Sequence, residues 1–153
     1  MTVRPMEKGD ADAWIAMRAS LWPHADVTGL RDEVAAYLDR ASGTVAVAFV
    51  ADDERGERVG FVELSIRPFS DGCDSAPVPH IEGWYVAPHA RRAGAGRALM
   101  RAAEEWSRAR GFVELASDAE LDDVASHQAH AAIGFEEVDR LVKFRKALGD
   151  ERG

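Results

Sequence analysis

A single cysteine, Cys73, in 153 residues leaves no internal disulfide to form and agrees with a reducing compartment. The longest apolar run, Val45 to Ala51, falls far short of the ~20 residues a membrane span requires. Arg4, Glu7, Lys8 and Asp10 crowd the first ten positions and exclude the apolar segment of a signal peptide. A cytoplasmic protein with no membrane partner is therefore expected. No His, Cys and Asp residues recur at ligand spacing, so no metal is indicated. Positive charge is short as well: 19 Lys and Arg against 27 Asp and Glu give a net charge of −8, which speaks against nucleic acid as a partner. No internal repeat, linker or composition break divides the chain. A single domain over 1–153 is expected, long enough to bury a core without metals or disulfides.

The charge that is present is unevenly placed. From Arg91 to Arg110 six arginines face two glutamates, whereas Val113 to Asp139 holds eight carboxylates and no Lys or Arg. One region suits an anion and the other a cation, although a solvated acidic face reads the same way. The basic region opens on RRAGAG, Arg91 to Gly96, between an apolar run (Ile81 to Val86) and a helical pattern. Gly94 and Gly96 let the turn bend sharply and bring its N–H groups close to an anion. The first turn of the following helix adds unpaired N–H groups and a partial positive charge, and Arg91, Arg92 and Arg97 add cations, so a diphosphate fits. The stretch lacks the Lys-Ser/Thr ending of a P-loop and the glycine spacing of a dinucleotide-binding fingerprint. A plain strand-to-helix turn is the alternative for these residues taken alone.

The remaining pattern alternates between strands and helices. Val3 to Met6 reads as a strand. A helix follows Asp10 as N-cap, with Trp14, Met17 and Leu21 on one face, and stops at Pro23. Thr28 is placed to cap a second helix ending before Gly43. Thr44 to Ala51 and Val59 to Ile66 form a strand pair joined by a polar turn; alternation puts Glu63 on a face that looks into a polar cleft. Arg67 to Pro79 is too rich in proline and turn residues for a regular element, and a loop of this length in a compact domain is usually functional. His80 to Val86 is the central strand, and Glu82 within it is a charge in an apolar run, disfavoured there without a task. A helix with Leu99, Ala102 and Trp106 inward ends at Gly111. Phe112 to Ser117 reads as a fifth strand with Asp118 at its carboxyl end, where ligands of open α/β sheets commonly sit. Asp123 to Ile133 reads as a short helix, Phe135 to Asp139 and Leu141 to Lys146 as a closing hairpin, and nothing after Leu148 as ordered. Cys73 lacks a basic neighbour that would make it a nucleophile, and His127 and His130 on a helix read first as structural.

Arg91, Gly94 and Gly96 match the R/Q-x-x-G-x-G/A loop of the GNAT superfamily of N-acetyltransferases. Together with LWP (Leu21 to Pro23), GCDSAPVPHIEGWYV (Gly72 to Val86), ELASD (Glu114 to Asp118) and HAAIGFEE (His130 to Glu137), the chain resembles the aminoglycoside 6'-N-acetyltransferase branch of that superfamily from Val3 to Lys146. The resemblance implies an α/β (α+β) fold, a mixed central sheet of about six to seven strands flanked by about four helices. It implies acetyl-CoA as cosubstrate, its diphosphate on Arg91, Arg92, Ala93, Gly94, Ala95, Gly96 and Arg97. The pantetheine arm would pair with the backbone of Trp84, Tyr85 and Val86, and the Val86 N–H would polarise the acetyl carbonyl. Glu82 would be the base, acting through water, with Asp118 clamping the ammonium beside it. Trp22, Asp71, Asp74, Glu82, Asp118, Glu136 and Glu137 would line the site of a polycationic aminoglycoside, because carboxylates and aromatic faces suit a polycation. A homodimer is expected, with Glu136 or Glu137 available to a neighbouring subunit. One departure stands out: Phe144 occupies the position of a tyrosine that protonates the leaving thiolate in many relatives, leaving that task to water or Tyr85. A polyamine, an arylalkylamine or a protein amino terminus is an alternative acceptor, and a silent acyl-CoA sensor is the reading from another class.

Overall fold

The structure, a computed structural model, describes residues 1–149. The expectation of no order after Leu148 falls mostly on residues 150–153, which lie outside the described residues. The chain divides into two compact units, the first running from Met1 to Asp118 and the second starting at Ala119.

The first unit is built on one sheet of five strands in the order β1 (Thr2–Pro5), β2 (Val47–Asp52), β3 (Arg58–Arg67), β4 (Val78–Val86) and β5 (Ala116–Ser117). Neighbours are antiparallel as far as β4, and β5 runs parallel to β4, so the sheet is mixed as expected but shorter than six to seven strands. Three helices belong to this unit: α1 (Ala11–Leu21), α2 (Val27–Leu38) and α3 (Ala95–Ala109). In α1 the buried positions Trp14, Met17 and Arg18 recur at helical spacing, and the Trp22 N–H closes on Arg18 O before Pro23 ends the helix. Asp26, not Thr28, caps α2: its carboxylate accepts from the Thr28 N–H at 3.3 Å.

The two sheet faces bury different partners. Trp14, Met17, Val34, Val50 and Phe61 form one cluster under α1 and α2. Alternation along β3 puts Val62 and Leu64 on the opposite face, where α3 packs against β2, β3 and β4 through its buried Leu99, Met100 and Ala103.

Glu63 does not look into an open cleft. Its side chain is 2% exposed and accepts from Trp14 Nε1 at 3.0 Å and from Arg18 Nε and Nη2 at 2.9 and 2.8 Å. Arg18, equally buried, also donates to Leu30 O and Glu33, and its guanidinium lies 5.1 Å from the Trp22 ring centroid. One internal ion pair thus joins α1, α2 and β3 and sits against Trp22. A second anchor is Asp10. Bonds from Arg4 hold its carboxyl well below the usual range against the opposing effect of burial, helped by Arg58 and the Glu7 N–H.

The expected strand over Phe112 to Ser117 contracts to two residues. The Phe112 N–H turns back to Ser107 O at the end of α3, and Val113 stands 84% exposed. The second unit contains α4 (Val124–Ala132), capped by Asp123, whose carboxylate accepts from the Ser126 N–H at 3.1 Å. The closing hairpin is absent among the described residues, where 135–149 carry no strand. Val138, Leu141, Val142 and Phe144 are exposed, and two short segments with no face to bury do not hold each other in water. No helix of the described residues is long and apolar enough to cross a membrane.

Removing one partner from the internal ion pair leaves the other charge buried and alone. Glu63→Ala is expected to lower unfolding free energy by about 3–5 kcal/mol, read from urea denaturation; a loss under about 1 kcal/mol would show that Arg18 is held by its other contacts.

Candidate active site

Strands β4 and β5 pair at only two positions, His80 with Ala116 and Ile81 with Ser117. Beyond them β4 continues to Val86 with β3 as its one strand partner among the described residues, so one edge of residues 82–86 has no neighbouring strand. The register with β3 slips at the same place. Glu63 pairs with Gly83 and Leu64 with Ile81, which makes Glu82 the extra residue of a β-bulge. Such a bulge bends a strand and re-aims its side chain.

Backbone direction along the open edge follows from one bond. The Ala87 N–H donates to Val59 O at 2.7 Å, so by alternation the N–H of Val86, and that of Trp84, point away from β3. Val86 O faces the same way and accepts from Arg91 Nε at 3.0 Å. A strand-like ligand would therefore meet donors and acceptors on Trp84 and Val86.

The edge leads into the glycine turn. Arg92 and Gly94 have positive φ, 67° and 89°, conformations that glycine adopts without strain. Gly94 is the N-cap of α3 and offers no side chain to its first turn. The first i to i−4 bond runs from the Ala98 N–H to Gly94 O, so the N–H groups of Ala95, Gly96 and Arg97 precede it and are left for an outside acceptor. Arg91, Arg92 and Arg97 are exposed beside them. Trp84 ties this turn to the strand: its Nε1 donates to Gly96 O at 3.1 Å. Arg91, Arg92, Ala93, Gly94, Ala95, Gly96 and Arg97 together can hold a diphosphate, which fits the expected acetyl-CoA.

On the other side of the bulge lies a carboxylate cluster. Glu82 accepts from Ser65 Oγ at 2.6 Å and from Arg67 Nε and Nη2 at 2.8 and 2.9 Å. Burial pushes its carboxyl up, but hydrogen bonds from His80, Arg67 and Ser65 outweigh it and hold the group well below the usual carboxylate range. The His80 ring lies between two acids, Nδ1 3.3 Å from Glu82 Oε1 and Nε2 3.5 Å from Asp118 Oδ2. Asp118 itself is largely exposed. Trp22 is adjacent: a Cβ on Gly83 would stand 3.1 Å from the indole and 2.9 Å from Phe61, so glycine is what admits the aromatic wall next to Glu82.

The structure thus connects Trp22, Glu82 and Asp118. Asp71 and Asp74 are exposed on the loop after β3. That loop is pinned by Glu114, which accepts from the N–H groups of Asp74 and Ser75. Glu136 and Glu137, both exposed, lie in the second unit, where Glu137 pairs with Arg140. Tyr85 packs its ring on Phe61 at 6.1 Å between centroids, and by the same alternation its backbone groups face β3 rather than the open edge, contrary to the expectation that it pairs with the pantetheine arm. Phe144 is 94% exposed. His127 and His130 are bound to backbone oxygens, Glu120 O and Ser126 O. Burial and then the charges of Glu114 and Asp74 push the Cys73 thiol up, away from nucleophilic use. Among the described residues no group of His, Cys, Asp and Glu could hold a metal ion.

The model of the acetyltransferase (GNAT) family matches residues 12–135. The chain belongs to the GNAT family. Among its relatives, the aminoglycoside N(6')-acetyltransferase type 1 of Klebsiella aerogenes is 46% identical over 95% of this chain and 96% of that protein. The enzyme of the same name from Stenotrophomonas maltophilia is 45% identical over 96% and 94%. The solved structure of AAC(6')-Iy in complex with the bisubstrate analogue CoA-S-monomethyl-acetylneamine superposes with a TM-score of 0.86 at 32% identity, covering 96% of this chain and 98% of that one.

Within this GNAT chain, three residues of the site escaped sequence reasoning. Ser65 looked like part of an ordinary strand, Arg67 like the start of the loop after it, and His80 like the first residue of the central strand, whereas Arg67 closes β3. Their shared signal was parity, since positions 65 and 67 of β3 fall opposite His80 and Val78 of β4; the bulge that brings Glu82 to them leaves no mark in composition.

Gly83→Ala drives a methyl into two rings that have little room to yield. The variant is expected to lose about 1–3 kcal/mol of stability and to shift Trp22 fluorescence. An unchanged spectrum and unfolding midpoint would mean that the Trp22 and Phe61 rings give way freely.

Proposed function

We propose that the protein transfers the acetyl group of acetyl-CoA to the 6'-amino group of aminoglycosides in a ternary complex, an activity that confers resistance to these antibiotics. The observation that carries this reading is the parted pair of strands: an open β4 edge with an anion cradle at one end and the bulged Glu82 beside it. Names and bound molecules of the relatives support it, since an analogue joining CoA to an acetylated aminoglycoside occupies a neighbour of the same fold.

Acetyl-CoA supplies an activated thioester when bound. The chain's own residues do the rest. The Arg91–Gly96 turn and Arg97 neutralise and orient the diphosphate. Trp84 and Val86 present backbone groups to the pantetheine arm, and the outward Val86 N–H donates to the carbonyl oxygen as it gains charge. Glu82 takes the ammonium proton through a water, because its own oxygens are engaged by Ser65 and Arg67. Asp118 clamps the ammonium, Trp22 offers a face to the sugar ring, and Asp71, Asp74, Glu136 and Glu137 provide further carboxylates for a polycation. Water takes the part of the tyrosine that Phe144 replaces. The two units work as one catalytic domain over 1–153, a reading supported by a family match that runs across their boundary. We place the enzyme in the cytoplasm and as a homodimer.

Release of CoA thiol from acetyl-CoA tests the reading, with kanamycin, tobramycin, spermidine and a short peptide offered in parallel. Preference for an aminoglycoside, lost when its 6' amine is replaced by hydroxyl, is the expected result; preference for spermidine or the peptide would move the acceptor to another amine. Glu82→Gln is expected to lower kcat roughly 10²-fold with the KM for acetyl-CoA nearly unchanged. Full activity at saturating substrate would remove the base assignment.

A further inference from the structure

Arg18 and Glu63 form a buried ion pair, 1% and 2% exposed, that the mechanism above does not use. Burying two charges costs about as much as their attraction returns, and apolar residues of similar size commonly hold a core at least as well. Stability alone does not account for the pair. The guanidinium donates to both Glu63 oxygens, to Leu30 O at 3.1 Å and to Glu33 at 2.8 Å, so groups on β3 and α2 fix its plane. It lies over two indoles, its central carbon 5.7 Å from the Trp14 ring centroid and 5.1 Å from that of Trp22. Trp14 is fully buried and anchored by its own bond to Glu63. Trp22 is half-buried and stands one residue past the end of α1, just before Pro23. Packing places its ring among the described residues: the edge contact with Phe61 at 6.5 Å between centroids, the room left at Gly83, and Arg18.

Of these three contacts, the one with Arg18 has a direction. A cation is drawn to the face of an aromatic ring and not to its edge, so a guanidinium fixed from two other elements decides which way the indole turns. We propose that Arg18, held by Glu63, is a positioning residue for the acceptor: it sets the orientation of Trp22, the wall against which the sugar ring carrying the reacting amine rests. The role rests on Trp22 lining the acceptor site as proposed above. Both members of the pair have a part in it. Arg18 supplies the planar cation that stacks on the indole, and Glu63, with Glu33, cancels its charge, so that a cation behind the wall does not repel a polycation in front of it. Shut away from solvent, Arg18 touches no substrate atom and acts through the ring.

Arg18→Met combined with Glu63→Gln removes both charges and keeps an acceptor for Trp14 Nε1. Its urea midpoint should stay close to that of the parent, unlike that of Glu63→Ala. Its KM for kanamycin should rise roughly tenfold while the KM for acetyl-CoA stays within about twofold, because the wall is disturbed and the cofactor edge is not. A role in stability alone would reduce the folded fraction, and with it kcat, and leave both KM values where they were. Arg18→Lys keeps the buried charge without the planar face and should raise the kanamycin KM as well; should the double variant not fold, this one carries the test. A kanamycin KM equal to the parent's in the Arg18 variants would overturn the proposal. Trp22→Ala checks the reading beneath it: if that variant has the parent's kanamycin KM, Trp22 is not the wall and the inference falls with it. Fluorotryptophan labelling adds a readout that needs no turnover. The ¹⁹F resonance of Trp22, assigned by its loss in Trp22→Phe, should shift or broaden in Arg18→Lys while those of Trp84 and Trp106 stay in place. An unmoved Trp22 resonance would overturn the proposal whether or not kanamycin is acetylated.

Discussion

The early parting of β4 from β5 is the constraint on which the site depends. Two parallel strands that pair at His80 and Ile81 and then separate leave residues 82–86 without a β5 partner on the last long strand of the sheet. In the proposed function, a ligand that behaves as a strand pairs with this edge. The bulge at Glu82 belongs to the same event, because a strand that leaves one neighbour must bend relative to the other.

Around that opening, charge is sorted by sheet face and strand end. Arginines gather where α3 begins, and the partial positive charge of the helix end points the same way. Carboxylates gather past the bulge, where Glu82 is held anionic by Arg67 and Ser65 and where His80 joins it to Asp118. Trp22, braced from beneath by the buried Arg18, closes the side next to Gly83. An anion and a cation can thus approach one another from opposite sides, as a two-substrate transfer requires.

Much of this was legible along the chain. The turn at Arg91 to Gly96 announced itself because a cradle for an anion is local: its glycines, its arginines and the helix that follows are consecutive. Helix α1 and strands β3 and β4 were visible through their periodicity, and Glu82 through its charge in an apolar run. The sheet was overcounted at its end. Phe135 to Lys146 alternates like a hairpin, yet alternation says only that a segment could bury a face, and the described residues offer that face no partner strand. Glu63 was misread for the same reason, since parity assigned it a side of the sheet without telling what covered that side.

Composition and order of residues determined the fold family, the position of the diphosphate turn and the sign of charge at each end of the site, because all three depend on neighbours within a few positions of one another. Tertiary structure alone decided which carboxylate is shut away and which reaches the open edge. Glu63 and Glu82 are both glutamates on adjacent strands, and what separates them is that α1 lays Arg18 over the first, while a one-residue slip of register turns the second toward Arg67, His80 and the open edge. Register and burial arise from contacts between residues distant in the chain, and no local pattern carries them.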